Sequence, residues 1–234
     1  MDFSDAFSAA FSLIVGLDAD LIEIVSLSLQ VSGIAVFLAC LIGMPLGAVV
    51  AVGHFPGRTT ATIIVNALMG LPPVVVGLVV YMMLSRSGPL GVLGLLYSPS
   101  AMIIAQTILV VPIVAALSRQ IIDDLHREYD ELFRSMRATR LQTMTALLWD
   151  ARYSLLTATL AGMGRALAEV GAVMIVGGNI DHVTRVMTTA IALETSRGDL
   201  ALALGLGIIL LTLALIVNGA LMALRGSARR LAYA

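Results

Sequence analysis

Residues 153–176 read YSLLTATLAGMGRALAEVGAVMIV. The run is long enough to cross a hydrocarbon core, which takes about 20 apolar residues. Arg165 and Glu169 are its only charged side chains. An ionised group at mid-bilayer costs on the order of 3 kcal/mol on insertion scales. Four residues apart on a helix, the two share a face and neutralise one another. Intramembrane charges face a bundle interior or a water-filled path, so the pair is a candidate pathway or gate element. A purely structural clamp between helices is the alternative. Gly162, Gly164 and Gly171, with Gly205 and Gly207 further on, suit close helix–helix contact. They are also ordinary membrane-helix composition.

Four more segments pass the same length test: Leu21–Val52, Ile63–Leu84, Pro99–Ser118 and Leu200–Leu224. The expected fold is an all-α membrane protein with five transmembrane helices. The first segment would run to roughly 48 Å at 1.5 Å per residue, so it must tilt, break or project from the bilayer. Gly43-Met44-Pro45 marks a bend as the expected device. Composition agrees: of 234 residues, 59% are hydrophobic and 12% charged, with mean hydropathy +0.99. A net charge of −1 without a basic patch disfavours nucleic-acid binding. The single cysteine, Cys40, excludes a disulfide framework and a cysteine metal cluster. Lysine is absent, so the chain holds no Gly-x4-Gly-Lys phosphate loop. His54, His126 and His182 all fall in connecting segments, and no nucleophile–base pair appears at membrane depth, which argues against an intramembrane hydrolase.

Arginine placement sets the expected orientation. With the N-terminus outside, Arg58, the six arginines from Arg119 to Arg152, and Arg225, Arg229 and Arg230 lie inside, against Arg86, Arg185 and Arg197 outside. The C-terminal tail, residues 225–234, is then cytoplasmic. Residues 1–20 carry four aspartates and no arginine, the wrong flank for a secretory signal. Phe3, Phe7, Ala10, Phe11 and Ile14 fall at helical spacing there and predict a short helix in the outer interface, with a frayed leader as the alternative.

Residues 119–152 form the sizeable polar segment, with six arginines and six acids. Asp123 and Asp124 suit the start of a helix. Arg127 with Glu131, and Asp130 with Arg134, are expected to pair at four-residue spacing. Leu125, Tyr129, Leu132, Met136 and Leu141 give an apolar stripe that requires a surface to pack on. The alternative is a solvated helical loop attracting anionic headgroups. The outer connection, Gly177–Asp199, opens with Gly177-Gly178-Asn179 and continues into a Thr-rich helix. It is a candidate external gate or receptor, or an ordinary loop.

Glu131-Leu132-Phe133-Arg134-Ser135-Met136-Arg137 occupies the place of a Glu-Ala-Ala-x3-Gly segment before a late span. Leu132 and Phe133 stand for its two alanines and Arg137 for its glycine. Gly43-Met-Pro-Leu-Gly47, Phe55-Pro-Gly-Arg58, Leu71-Pro-Pro-Val-Val-Val-Gly77 and Arg165-Ala-Leu-Ala-Glu-Val-Gly-Ala172 follow in order. In these motifs, over roughly residues 25–225, the chain resembles the membrane-spanning permease subunits of binding-protein-dependent ABC importers. It is most similar to the oxyanion branch and, in Val176–Thr195, to tungstate-type permeases.

The resemblance implies the type I permease fold in a bacterial or archaeal plasma membrane. It implies a homodimer, or pairing with a non-identical permease, above two ABC ATPase subunits that hold ATP and magnesium. This chain would carry no cofactor and no catalytic residue. An external binding protein would deliver the oxyanion: tungstate, or alternatively molybdate or sulfate. Tyr129, Glu131, Leu132, Phe133, Met136 and Arg137 would then form the segment that couples to the ATPase. Arg165, Glu169, Gly177, Gly178 and Asn179 are the expected pathway or gate positions. A structural subunit of some membrane complex is the reading from another class.

Overall fold

A computed structural model describes residues 11, 12, 16 and 19–232. All regular elements among the described residues are helical: α1 (Ala19–Val52), α2 (Arg58–Leu68), α3 (Pro73–Leu84), a 3-10 turn (Gly91–Leu93), α4 (Pro99–Ser135), α5 (Arg140–Asp150), α6 (Arg152–Leu167), α7 (Gly171–Gly177), α8 (Met187–Arg197) and α9 (Leu200–Ala232). Three helices are long and apolar enough to cross a membrane by themselves: Ala19–Val52, Pro99–Ser135 and Leu200–Ala220. Two bent pairs, α2 with α3 and α6 with α7, raise the number to as many as five. Most of the expected N-terminal interfacial helix, including Phe3, Phe7, Ala10 and Ile14, lies outside the described residues.

The second expected span, Ile63–Leu84, is not one straight helix. It is α2 and α3, bent by 96° across Met69–Pro72. Prolines 72 and 73 lack the N–H needed to continue α2, and each pushes its predecessor out of the α region. Pro72 takes the extended conformation and Pro73 opens α3 at the first helical position, where a missing N–H costs nothing. The fourth expected span, Tyr153–Val176, is likewise broken, α6 and α7 meeting at 59° across Ala168–Val170.

At Gly43–Pro45, where a bend is expected, α1 stays helical, with Pro45 inside the helix. Gly43 and Gly47 also serve close approach. A Cβ on Gly47 would sit 2.6 Å from the Ala115 carbonyl oxygen and 2.8 Å from the Arg119 nitrogen of α4. The third span also departs from expectation. Its helix does not stop at Ser118 but runs on to Ser135, carrying the first half of the polar segment on the same rod. Asp123 and Asp124 therefore lie inside α4 rather than at a helix start. At the other end, the residues expected as a tail continue α9 as far as Ala232.

The chain divides into two compact units whose boundaries fall within helices and loops alike. One comprises Met1–Ala35, Pro72–Gln106 and Gly164–Val217. Its apolar core joins Leu21 and Ile24 of α1, Met187 and Ala190 of α8, and Leu206 of α9. In the same unit α3 packs on α7, and a Cβ on Gly77 would stand 2.7 Å from the Ala172 Cα. The other unit comprises Val36–Leu71, Thr107–Met163 and Asn218–Ala234. Its core joins Ala48, Ala51 and Val52 of α1, Ile122 of α4 and Leu147 of α5. There the Arg58 guanidinium donates to the Val50 and Ala51 carbonyls at 2.9 and 2.6 Å and to Asp123 Oδ1 at 2.6 Å. It satisfies carbonyls at the C-terminal end of α1 that have no partner within the helix and ties that end to α4.

The glycine contact in the second unit can be tested directly. Gly47→Ala, forced against backbone atoms, is expected to destabilise the purified protein by about 1–3 kcal/mol. Gly33→Ala has no heavy atom within 4 Å of the new Cβ and is expected to be neutral or stabilising by up to about 1 kcal/mol. Thermal unfolding in detergent, with the two variants compared, reads both effects.

Candidate functional site

The polar segment folds as the last turns of α4, a tight turn at Met136–Thr139, and α5. Thr139 caps α5: its hydroxyl accepts the Gln142 N–H while the Gln142 side chain accepts the Thr139 N–H. The turn is closed by Arg137 in the left-handed region, φ 50°. That is the position where the resembling pattern has glycine, so the geometry a glycine would favour is kept without one. The six coupling candidates occupy two faces. Tyr129 and Phe133 are half-buried against the Ala48–Leu147 core and meet edge to face at 6.2 Å. Glu131, Leu132, Met136 and Arg137 are exposed. Leu141 and Trp149 of α5 are exposed as well, with the Arg152 guanidinium 4.8 Å above the Trp149 ring.

The ion pairs differ in part from expectation. Asp130 and Arg134 pair at 2.9 Å. Arg127, however, turns to Asp123 at 2.7 Å rather than to Glu131. An acid four residues N-terminal to its base is the favoured orientation on a helix, and Asp123 is already fixed by Arg58. Glu131 is thereby left on the exposed face.

In the other unit the structure brings Arg165 and Glu169 together at 2.5 Å, the carboxylate side chain only 3% exposed. Glu169 sits inside the break between α6 and α7. One carboxylate oxygen accepts from Arg165. The other accepts the Ala172 N–H at 3.0 Å, serving the free end of α7. The carbonyls at the break find side-chain donors: Gln106 Nε2 to Ala166 O at 3.2 Å, and Thr188 Oγ1 to Glu169 O at 2.7 Å. Ser28 Oγ accepts the Met187 N–H at 2.8 Å and so secures the start of α8. Sequence reasoning missed Gln106, Ser28 and Thr188. The available signal was Gln106, the sole side-chain amide between Pro99 and Ser118.

Gly177, Gly178 and Asn179 form the turn that ends α7. Gly178 takes φ 72° and donates its N–H to the Met174 carbonyl. A Cβ there would meet Tyr97 at 2.8 Å, and one on Gly177 would meet Met102 Sδ at 3.0 Å. Asn179, at φ 50°, donates to the Thr189 carbonyl at 3.4 Å. Beyond it, His182 Nδ1 lies 2.8 Å from Glu23 Oε2. That hydrogen bond, with the negative charge of Glu23 and then Asp181, raises the His182 pKa above the ordinary imidazole value. Among the described residues, Asp20, Glu23 and His182 have the donor types of a metal site, their ligand atoms within 4.8 Å of one another, but all three are exposed.

A long apolar helical set, a buried charge pair at a break between two helices and an exposed helical elbow suit a transport subunit. Residues 43–230 match the family described as the binding-protein-dependent transport system inner membrane component. The chain belongs to this family. It is 37% identical over 95% of its length to the tungstate uptake system permease protein of Peptoclostridium acidaminophilum, covering 97% of that protein. The corresponding permease of Campylobacter jejuni is 36% identical, over 92% of this chain and 90% of the other. A probable anion ABC transporter permease of Haloferax volcanii is 41% identical, over 85% and 88%.

In this permease the Arg137 turn yields a sharp expectation. A non-glycine residue in the left-handed region costs roughly 1–2 kcal/mol. Arg137→Gly is expected to raise stability by about 1 kcal/mol, part of the gain being lost to the freer unfolded chain. The midpoint of denaturant unfolding of the purified permease checks it.

Proposed function

We propose that this permease is the translocation subunit of an ATP-driven importer for a tetrahedral oxyanion, tungstate in the first place. The observation that carries the substrate is similarity to tungstate uptake permeases along nearly the whole of both chains. The working assembly is two copies of the chain, two ATPase subunits and an external binding protein. Each copy contributes five spans, with α2–α3 and α6–α7 as the two bent ones, the N-terminus outside and the C-terminus in the cytoplasm. ATP and magnesium reside on the ATPase subunits, and the assembled complex is the transport ATPase.

The elbow formed by the end of α4 and by α5 is the coupling element. Tyr129 and Phe133 anchor it to the chain's own core. Leu132 and Met136 present apolar surface to the ATPase, while Glu131 and Arg137 set register by charge. Closure of the ATPase pair moves the elbow, and α4 carries that motion into the spans because it is one helix from Pro99 to Ser135. For ATP to drive the change, the inward- and outward-facing states must differ in affinity for ATP or for the loaded binding protein.

Arg165 and Glu169 belong to the gate beside the pathway, and Gly177, Gly178 and Asn179 to its outer rim. A dianion held tightly in the membrane would need several converging donors. The intramembrane arginine is already neutralised by Glu169. Selectivity therefore resides with the binding protein, and the pathway passes what is delivered.

The deciding experiment is elemental uptake in a strain lacking this gene, with and without a restored copy, at nanomolar tungstate. Gene-dependent tungsten accumulation that withstands excess molybdate and sulfate is the expected result. Gene-dependent uptake of molybdate or sulfate instead would keep the importer and replace its substrate. Glu131→Lys is expected to leave the chain in the membrane and to reduce uptake by at least about tenfold, the scale of a lost charged contact. Immunoblotting of membranes alongside uptake separates loss of coupling from loss of protein.

A further inference from the structure

With α6–α7 as one span, as proposed above, the break at Ala168–Val170 interrupts a helix where hydrocarbon offers its backbone no partner. An unpaired carbonyl there costs several kcal/mol. In an unbroken helix the carbonyls of Ala166 and Glu169 would be taken by N–H groups four residues on. Here the Ala166 carbonyl accepts the Glu169 N–H three residues on, at 3.3 Å, and Gln106 Nε2 of α4 at 3.2 Å, while the Glu169 carbonyl accepts from Thr188 of α8. Both side chains belong to buried residues, Gln106 at 3% and Thr188 at 9% exposure. The amide of Gln106 has more capacity than this bond uses, since its Oε1 has no protein donor. A cavity of about 10 Å³ lined by Gln106, Ser28, Ser32, Glu169 and Thr188 lies beside it, about the room one water requires.

Glu169 thus lies between two carbonyls that are held from outside the broken span. Its carboxylate direction, and with it the position of Arg165, follows from where those carbonyls are held. We infer that Gln106 and Thr188 are positioning residues of translocation: by pinning the Ala166 and Glu169 carbonyls they set the angle of the α6–α7 break and keep the Arg165–Glu169 pair in its working register. One water on Gln106 Oε1 completes the joint. This rests on the importer reading above.

The test is tungstate uptake by cells carrying Thr188→Val, Thr188→Ser or Gln106→Leu, measured against tungstate concentration and divided by the amount of chain in the membrane. Valine keeps the shape of threonine and removes the hydroxyl; serine keeps the hydroxyl. Thr188→Val is expected to lower the maximal rate per chain by about tenfold, the effect of leaving one buried acceptor unpaired, and Gln106→Leu by about threefold, because the Ala166 carbonyl keeps the Glu169 N–H. The half-saturating tungstate concentration, set upstream, is expected to stay unchanged. Thr188→Ser is expected to remain within about twofold of the wild type. The inference is overturned by Thr188→Val and Gln106→Leu transporting normally, by Thr188→Ser failing as badly as Thr188→Val, or by a shift confined to half-saturation. Absence of both Thr188→Val and Gln106→Leu from the membrane would assign these bonds to assembly alone and also overturn it. A wild-type chain that moves no oxyanion would sink the importer reading itself, whereas a working wild type with indifferent variants sinks only this inference.

Discussion

The unit that contains α7 depends on one buried carboxylate. Glu169 gives one oxygen to Arg165 and the other to the Ala172 N–H, while its own carbonyl accepts from Thr188. A buried backbone group without a partner is costly, and at the break between α6 and α7 each of these groups has one. A buried charge deprived of its partner is strongly destabilising. The seven-residue α7 would be marginal by itself. It persists because Glu169 serves its first turn and because Gly77 lets α3 pack against it.

The other unit meets the same requirement in a different way. Arg58 completes the end of α1 and reaches Asp123, and Asp123 in turn holds Arg127. Close approach of α1 to α4 is possible because Gly47 offers no Cβ to the Ala115 carbonyl. These contacts fasten α4 to α1 before it runs on to the elbow at Met136–Thr139. Its exposed residues, Leu132 and Met136, then lie outside the core on which Tyr129 and Phe133 pack.

Much of this was legible without coordinates, and the failures have definite causes. The apolar runs located the helices because hydrophobic length is a local property. The Arg165–Glu169 pair was legible because four-residue spacing places both on one helix face. The close contact at Gly43 and Gly47 was not legible because glycine near proline signals a bend as readily as a contact, and only the position of α4 reveals the contact. Asp123 was misread as a helix start because its partner Arg58 is 65 residues away. The apolar stripe was read as one docking face. In the fold Tyr129 turns to the chain's own core while Leu132 stays exposed, a division that requires knowing where α1 and α5 lie.

By itself the sequence determined that this chain lives in a bilayer, that it is helical, and that it carries the ordered motifs of an importer permease. These follow from hydrophobic length, arginine placement and short spacings, which act within a few turns of helix. The tertiary structure alone decided that two helix pairs are bent, by 96° and 59°, and which side chains hold one of those bends. Gln106 finds Ala166 across 60 residues and Ser28 finds Met187 across 159. Hydrogen bonds of that reach depend on atoms being brought within about 3 Å, which no periodicity in the chain encodes.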